Sequence, residues 1–107
     1  MTEYVLIESR DPFESRDTEF VEQTALAIKE RGHRVTVFLV QNGVFAARKT
    51  TGRLQRLADA GVTLLADDLS LRERGIEAAE LAQGVRESSV NSLVDTITQP
   101  NTKAIWH

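Results

Sequence analysis

The sequence predicts an α/β protein: a three-layer α/β/α sandwich around a mostly parallel sheet of four to five strands. Three observations carry this. Short apolar runs rich in strand formers alternate with segments whose apolar residues recur at helical spacing, the pattern of βαβ units. The run Val35-Thr36-Val37-Phe38-Leu39-Val40 is nearly continuously apolar, as a central parallel strand covered on both faces requires. The helical segments end in glycine, at Gly32, Gly61 and Gly75, where a left-handed residue closes a helix.

Each element follows in order. Tyr4-Val5-Leu6-Ile7 makes the first strand, and Ser9-Arg10-Asp11-Pro12 ends it, since proline and charge continue a strand poorly. The first helix starts near Asp17 or Thr18, either of which can cap it. Val21, then Thr24 or Ala25, then Ile28 give it one buried face. After the strong second strand come the loop Gln41-Asn42-Gly43 and a short helix through Val44-Phe45-Ala46-Ala47. The next helix carries Leu54, Leu57 and Ala58 on one side, and Val62 to Ala66 is the third strand.

Asp67-Asp68 ends that strand, and Leu69 to Arg74 reads as a helix. Ile76 to Leu81 fits either helix or loop, and an extended segment near Val85 is the weakest of the set. Ser88 or Ser89 caps the last helix, in which Val90, Leu93, Val94 and Ile97 fall at i, i+3, i+4 and i+7. Pro100-Asn101 breaks it, and Ala104-Ile105-Trp106 makes a final strand.

The 107 residues suit a single domain spanning 1–107, with apolar and charged fractions of 41% and 27% that are ordinary for a globular chain. A domain this small buries a modest share of its surface, which makes homo-oligomerisation an expected source of stability. Net charge is −3, and basic residues are interleaved with acids, as in Arg72-Glu73-Arg74 and Lys29-Glu30-Arg31. No basic stripe results, so nucleic acid is not an expected partner. No apolar run approaches the roughly 18 residues of a membrane span, so no membrane association is expected. Met1-Thr2-Glu3-Tyr4 runs directly into a strand rather than a signal peptide, and there is no cysteine. The expectation is a cytoplasmic protein without disulfides, thiolate metal sites or thiol nucleophiles.

In an open parallel sheet, ligands bind beyond the carboxyl ends of the strands. That rule selects the loops Ser9 to Asp11, Gln41 to Val44 and Asp67 to Ser70, and with them the pocket candidates Ser9, Arg10, Asn42, Gly43, Asp67 and Asp68. Asn42-Gly43 permits a close backbone approach to a ligand, or serves a turn that needs these residues. The chain lacks the further glycines or Gly-Lys-Ser/Thr ending of a phosphate loop. Asp67-Asp68 suits Mg²⁺ binding and phosphoryl acceptance, or caps the helix that follows. Phosphoacceptor chemistry also needs an acidic pair after the first strand and a lysine ending a late one. Glu8 and Asp11 are spaced poorly for the first, and Lys103 falls at the start of the last strand. No metal or other cofactor is expected. His33 is expected to be exposed and His107 mobile, so neither a metal site nor a Ser-His-Asp set is inferred. Trp106 is expected in the core or a subunit interface.

Val37-Phe38-Leu39-Val40-Gln41-Asn42-Gly43-Val44-Phe45-Ala46-Ala47 resembles the signature of a strand followed by (Q/E)-(N/D)-G-V-x-A-A in the DsrE/DsrF/DsrH (TusD/TusC/TusB) sulfur-relay family. Leu64-Leu65-Ala66-Asp67-Asp68-Leu69-Ser70-Leu71-Arg72-Glu73-Arg74-Gly75-Ile76 resembles that family's third strand and following helix. Ser92-Leu93-Val94-Asp95-Thr96-Ile97 and Lys103-Ala104-Ile105-Trp106 are similar to its last helix and strand. The Asp68-Leu69 to Arg74-Gly75 stretch and Ile105-Trp106 resemble the DsrH/TusB branch, while Glu30-Arg31-Gly32-His33 resembles the DsrE/TusD branch.

The resemblance implies a three-layer α/β subunit that assembles into trimers or hexamers, or with partner subunits of the same family. It also implies a persulfide-bearing cysteine just after the third strand, and counting back from Arg74-Gly75-Ile76 puts Asp67 at that position. The leading expectation is a non-catalytic or divergent member of a sulfur-relay or sulfur-oxidation system, acting by assembly and binding. The alternative is a small enzyme or an anion- or metal-binding protein using Asp67 and Asp68 with Arg10 and Asn42.

Overall fold

The computed structural model describes residues 2–16 and 18–107. Its centre is a five-stranded sheet in which every neighbouring pair is parallel, ordered β4-β3-β2-β1-β5. The strands are β1 (Glu3–Glu8), β2 (Arg34–Leu39), β3 (Thr63–Asp67), β4 (Val85–Ser88) and β5 (Thr102–Trp106). The helices are α1 (Thr18–Glu30), α2 (Gln55–Asp59), α3 (Asp68–Glu73) and α4 (Val90–Ile97). Two 3₁₀ segments, Gln41–Ala47 and Ala78–Glu80, complete the chain. Asp17, one of the two predicted caps of α1, lies outside the described residues.

The strand order decides where each helix sits. From β1 to β4 the chain steps outward in one direction, so right-handed crossovers stack α1, α2 and α3 on one face. It then returns across the sheet to place β5 beside β1, which carries α4 to the opposite face. Side chains alternate accordingly. Leu6, Val37, Leu39, Leu64 and Ala66 meet Val21, Ala25, Leu57 and Leu71 on the first face. Val5, Ile7, Phe38 and Val40 meet Leu93 on the second. Gly32 and Gly75 close α1 and α3 at φ of +85° and +67°, a region costly for residues with a Cβ.

Several expectations are refined. The short helix after β2 is a 3₁₀ segment starting at Gln41, and the ambiguous stretch before β4 holds a single 3₁₀ turn. The weak segment at Val85 is an edge strand, with Arg86 and Glu87 exposed. Ser89 rather than Ser88 caps α4, accepting from the Ser92 amide at 3.1 Å. Trp106 is not in the core: it is 63% exposed. His33 is half-buried, not exposed, with its ring edge-on to Tyr4 at 5.4 Å between centroids.

Candidate functional site: the carboxyl edge of the sheet

All five strands point the same way, so their carboxyl ends share one edge. Two linked groups of side chains occupy it.

The first is organised by Asp67, the last residue of β3 and the N-cap of α3. Its Oδ2 accepts from the Ser70 amide at 3.0 Å and from the Ser70 hydroxyl at 2.7 Å. Ser70 Oγ in turn accepts from the Gln41 amide at 2.9 Å. A hydroxyl has one proton to donate and lone pairs to accept with, so the relay from Gln41 through Ser70 to Asp67 is internally consistent. It ties the end of β2 to the start of α3, and Asp67 is only 4% exposed. Asn42 joins by accepting from Arg74 Nε at 3.0 Å, while Arg74 Nη1 donates to the Ser70 carbonyl at 3.2 Å. Asp68 opens α3 and is half-buried.

The second group surrounds the end of β1. A Cβ on Gly43 would overlap the carbonyl oxygen of Glu8, so glycine there serves the approach of two backbone segments. The Gly43 amide donates to Val40 O at 2.9 Å, and the Val40 amide to Glu8 O at 3.0 Å. The Glu8 side chain is buried, and its Oε1 accepts from the Arg10 amide at 2.9 Å. Its Oε2 lies 2.7 Å from His107 Nδ1. Far from being mobile, His107 is held by its backbone as well. Its amide donates to Ile7 O at 2.7 Å, and its carbonyl accepts from the Ser9 amide at 2.9 Å and the Ser9 hydroxyl at 3.0 Å. Phe20 of α1 lies beside its ring, at 5.8 Å between centroids.

The fold therefore brings Ser9, Arg10 and Gly43 together at the end of β1, and Asn42, Asp67 and Asp68 together around α3. A cavity of about 50 Å³ opens beside the first set, lined by Glu8, Arg10, Thr18, Leu39, Arg53 and Leu57 among others. Of the six candidates only Arg10 lines it. Lys103, near the amino end of β5, is at the opposite end of the parallel sheet from Asp67, so the two cannot act together. Among the described residues, no three His, Asp or Glu side chains are grouped to hold a metal ion. No helix among them is long and apolar enough to cross a membrane.

Glu8 and His107 went unselected from sequence. Their signal was register: β5 pairs with β1 with Ile7 opposite Trp106, so the next residues, Glu8 and His107, fall side by side. Reading it requires knowing that the last strand sits next to the first.

Solved structures with this fold include two that the chain matches end to end. The ychN protein from E. coli superposes with a TM-score of 0.88 at 19% identity, covering 100% of both chains. A protein of unknown function, MTH1491 from Methanobacterium thermoautotrophicum, gives a TM-score of 0.80 at 22% identity, again over 100% of both. No curated protein matches the sequence. The model of the DsrE/DsrF-like family matches residues 3–103, and the chain belongs to that family.

Proposed function

We propose that this protein is a non-catalytic or divergent subunit of a sulfur-relay or sulfur-oxidation system, acting through assembly and binding rather than by carrying sulfur. The observation behind this reading is the state of Asp67. The family resemblance puts a persulfide-bearing cysteine at this position, and sulfur transfer requires a thiolate that attacks and is attacked in turn. A carboxylate forms no such sulfur–sulfur bond, and the chain contains no cysteine at all. Asp67 is moreover buried and committed to Ser70, capping α3 and fixing the start of the Gln41–Ala47 segment. The position is that of a structural anchor.

Assembly is supported by the second face of the sheet. There α4 buries only Leu93, leaving Val90 and Val94 exposed at 50% and 48%, and Trp106 of β5 is exposed on the same face. A groove of about 240 Å³ lies between α4 and the sheet, lined by Val5, Phe38, Leu65 and Leu93 and by polar residues that include Thr36, Ser92 and Thr96. Three large apolar side chains exposed on one face of the sheet are the raw material of an interaction surface. In this reading the partner is a second copy of the chain, in a trimer or hexamer, or a related family subunit.

The sulfur half of the proposal is tested by exposing the purified chain to a persulfidated donor protein and to polysulfide, then measuring intact mass. The expected result is no stable gain of a sulfur atom. A gain on this chain alone would overturn the reading.

A further inference from the structure

We propose that the cavity beneath α1 is a binding site for a small ammonium ligand on a short aliphatic body, anchored by the carboxylate of Glu8. The inference is independent of sulfur chemistry and of Asp67. The cavity lies at the carboxyl end of the sheet, the ordinary location of ligands in this architecture. Glu8 lines it while being only 4% exposed. Burial of a carboxylate is costly unless its oxygens are partnered. Two partners are present, the Arg10 amide and His107 Nδ1, at 2.9 and 2.7 Å. An ionised carboxylate offers about four acceptor positions, so capacity remains for a donor arriving from the cavity.

The rest of the lining sets the ligand's character. Val37, Leu39, Leu54 and Leu57 provide apolar wall. Glu19 adds a second carboxylate to that of Glu8, and Glu22 a third that is already paired with Arg56 at 3.2 Å, against the guanidiniums of Arg10 and Arg53. Arg53 is turned over the Phe13 ring, 5.8 Å from its centroid. At Glu8 an ammonium group meets an acceptor, whereas an anion meets a like charge there even with Arg10 and Arg53 elsewhere in the lining. The volume of about 50 Å³ admits a handful of heavy atoms, not a nucleotide or a peptide.

His107 is a positioning residue in this arrangement. Nδ1 faces Glu8, and Nε2 has no partner among the described residues. The only buried unpartnered side-chain nitrogen or oxygen among them is His33 Nδ1, so Nε2 of His107 is reached by solvent. The ring contact through Nδ1 holds the carboxylate in place.

The test is an amide NMR titration of the full chain with n-butylammonium chloride, sodium butyrate and butanol in parallel. Butylammonium is expected to give saturable shifts at Val37, Leu39, Leu54 and Leu57, weakened about tenfold or more by Glu8→Gln. Ala46→Leu, which fills the cavity and leaves Glu8 in place, is expected to abolish the same shifts. Butyrate or butanol binding as tightly as butylammonium would overturn the proposal. So would the absence of saturable shifts, or binding that neither variant weakens.

Discussion

The two faces of the sheet are built from the same five strands but covered very differently. On one face α1, α2, α3 and the Gln41–Ala47 segment bury a continuous cluster that includes Val37, Leu39, Leu64 and Leu71, each at most 2% exposed. On the other, one eight-residue helix covers the strands, and only its Leu93 is buried. Alternating side chains supply apolar residues to both sides, so the imbalance comes from connectivity rather than composition. Successive outward crossovers load one face, and a single return crossover covers the other. The chain is stabilised mainly from the loaded face, and the lightly covered face is the one our proposal assigns to assembly.

Substitutions can break or sharpen this contrast. The largest effect is expected at the rim of the loaded face, where Gly43→Ala forces a methyl group against the Glu8 backbone. Loss of about 4 kcal/mol is expected in chemical denaturation, because neither strand end can retreat without losing its hydrogen bonds. Leu71→Ala, in the fully buried cluster under α3, is expected to cost about 3 kcal/mol in the same measurement. Leu93→Ala, its counterpart on the opposite face, is expected to cost about 2 kcal/mol, because a groove already lies beside it and the site can relax. If Leu93→Ala proved the costlier of the two, the contrast between the faces would be wrong. Asp67→Ala removes the cap of α3 and leaves the Ser70 amide without its acceptor, an expected loss of about 1.5 kcal/mol. Asp67→Asn keeps an acceptor oxygen and should retain most of that stability.

What was legible in the sequence follows the same division. Elements of the loaded face declare themselves locally: the continuous apolar run of β2, the Val21 and Ala25 stripe of α1, and glycines where helices must turn back. The Asp67 cap was readable as one of two roles, since aspartate opening a helix has a short-range signature. The α4 face was only half legible. Val90, Leu93, Val94 and Ile97 have the period of a buried stripe, but periodicity does not say whether the chain supplies anything to cover it. β4 was faint because an edge strand needs few apolar residues, and Arg86 and Glu87 point to water. The pairing of Glu8 with His107 was invisible for a different reason. It depends on β5 crossing back to lie beside β1, a contact between residues 99 positions apart that no local pattern encodes.

The central claim, that the lightly covered face is an assembly surface, is tested most directly by sedimentation equilibrium of the wild-type chain beside Val94→Glu. Val94 is 48% exposed, so this change should alter the stability of an isolated chain by less than about 0.5 kcal/mol, the smallest effect of the series. In an assembled interface the same carboxylate would be buried without a partner. The account predicts a wild-type trimer or hexamer at micromolar concentration that Val94→Glu converts to folded monomer. An oligomer indifferent to Val94→Glu would contradict it, and a wild-type chain that sediments as a monomer would exclude a second copy of the chain as the partner.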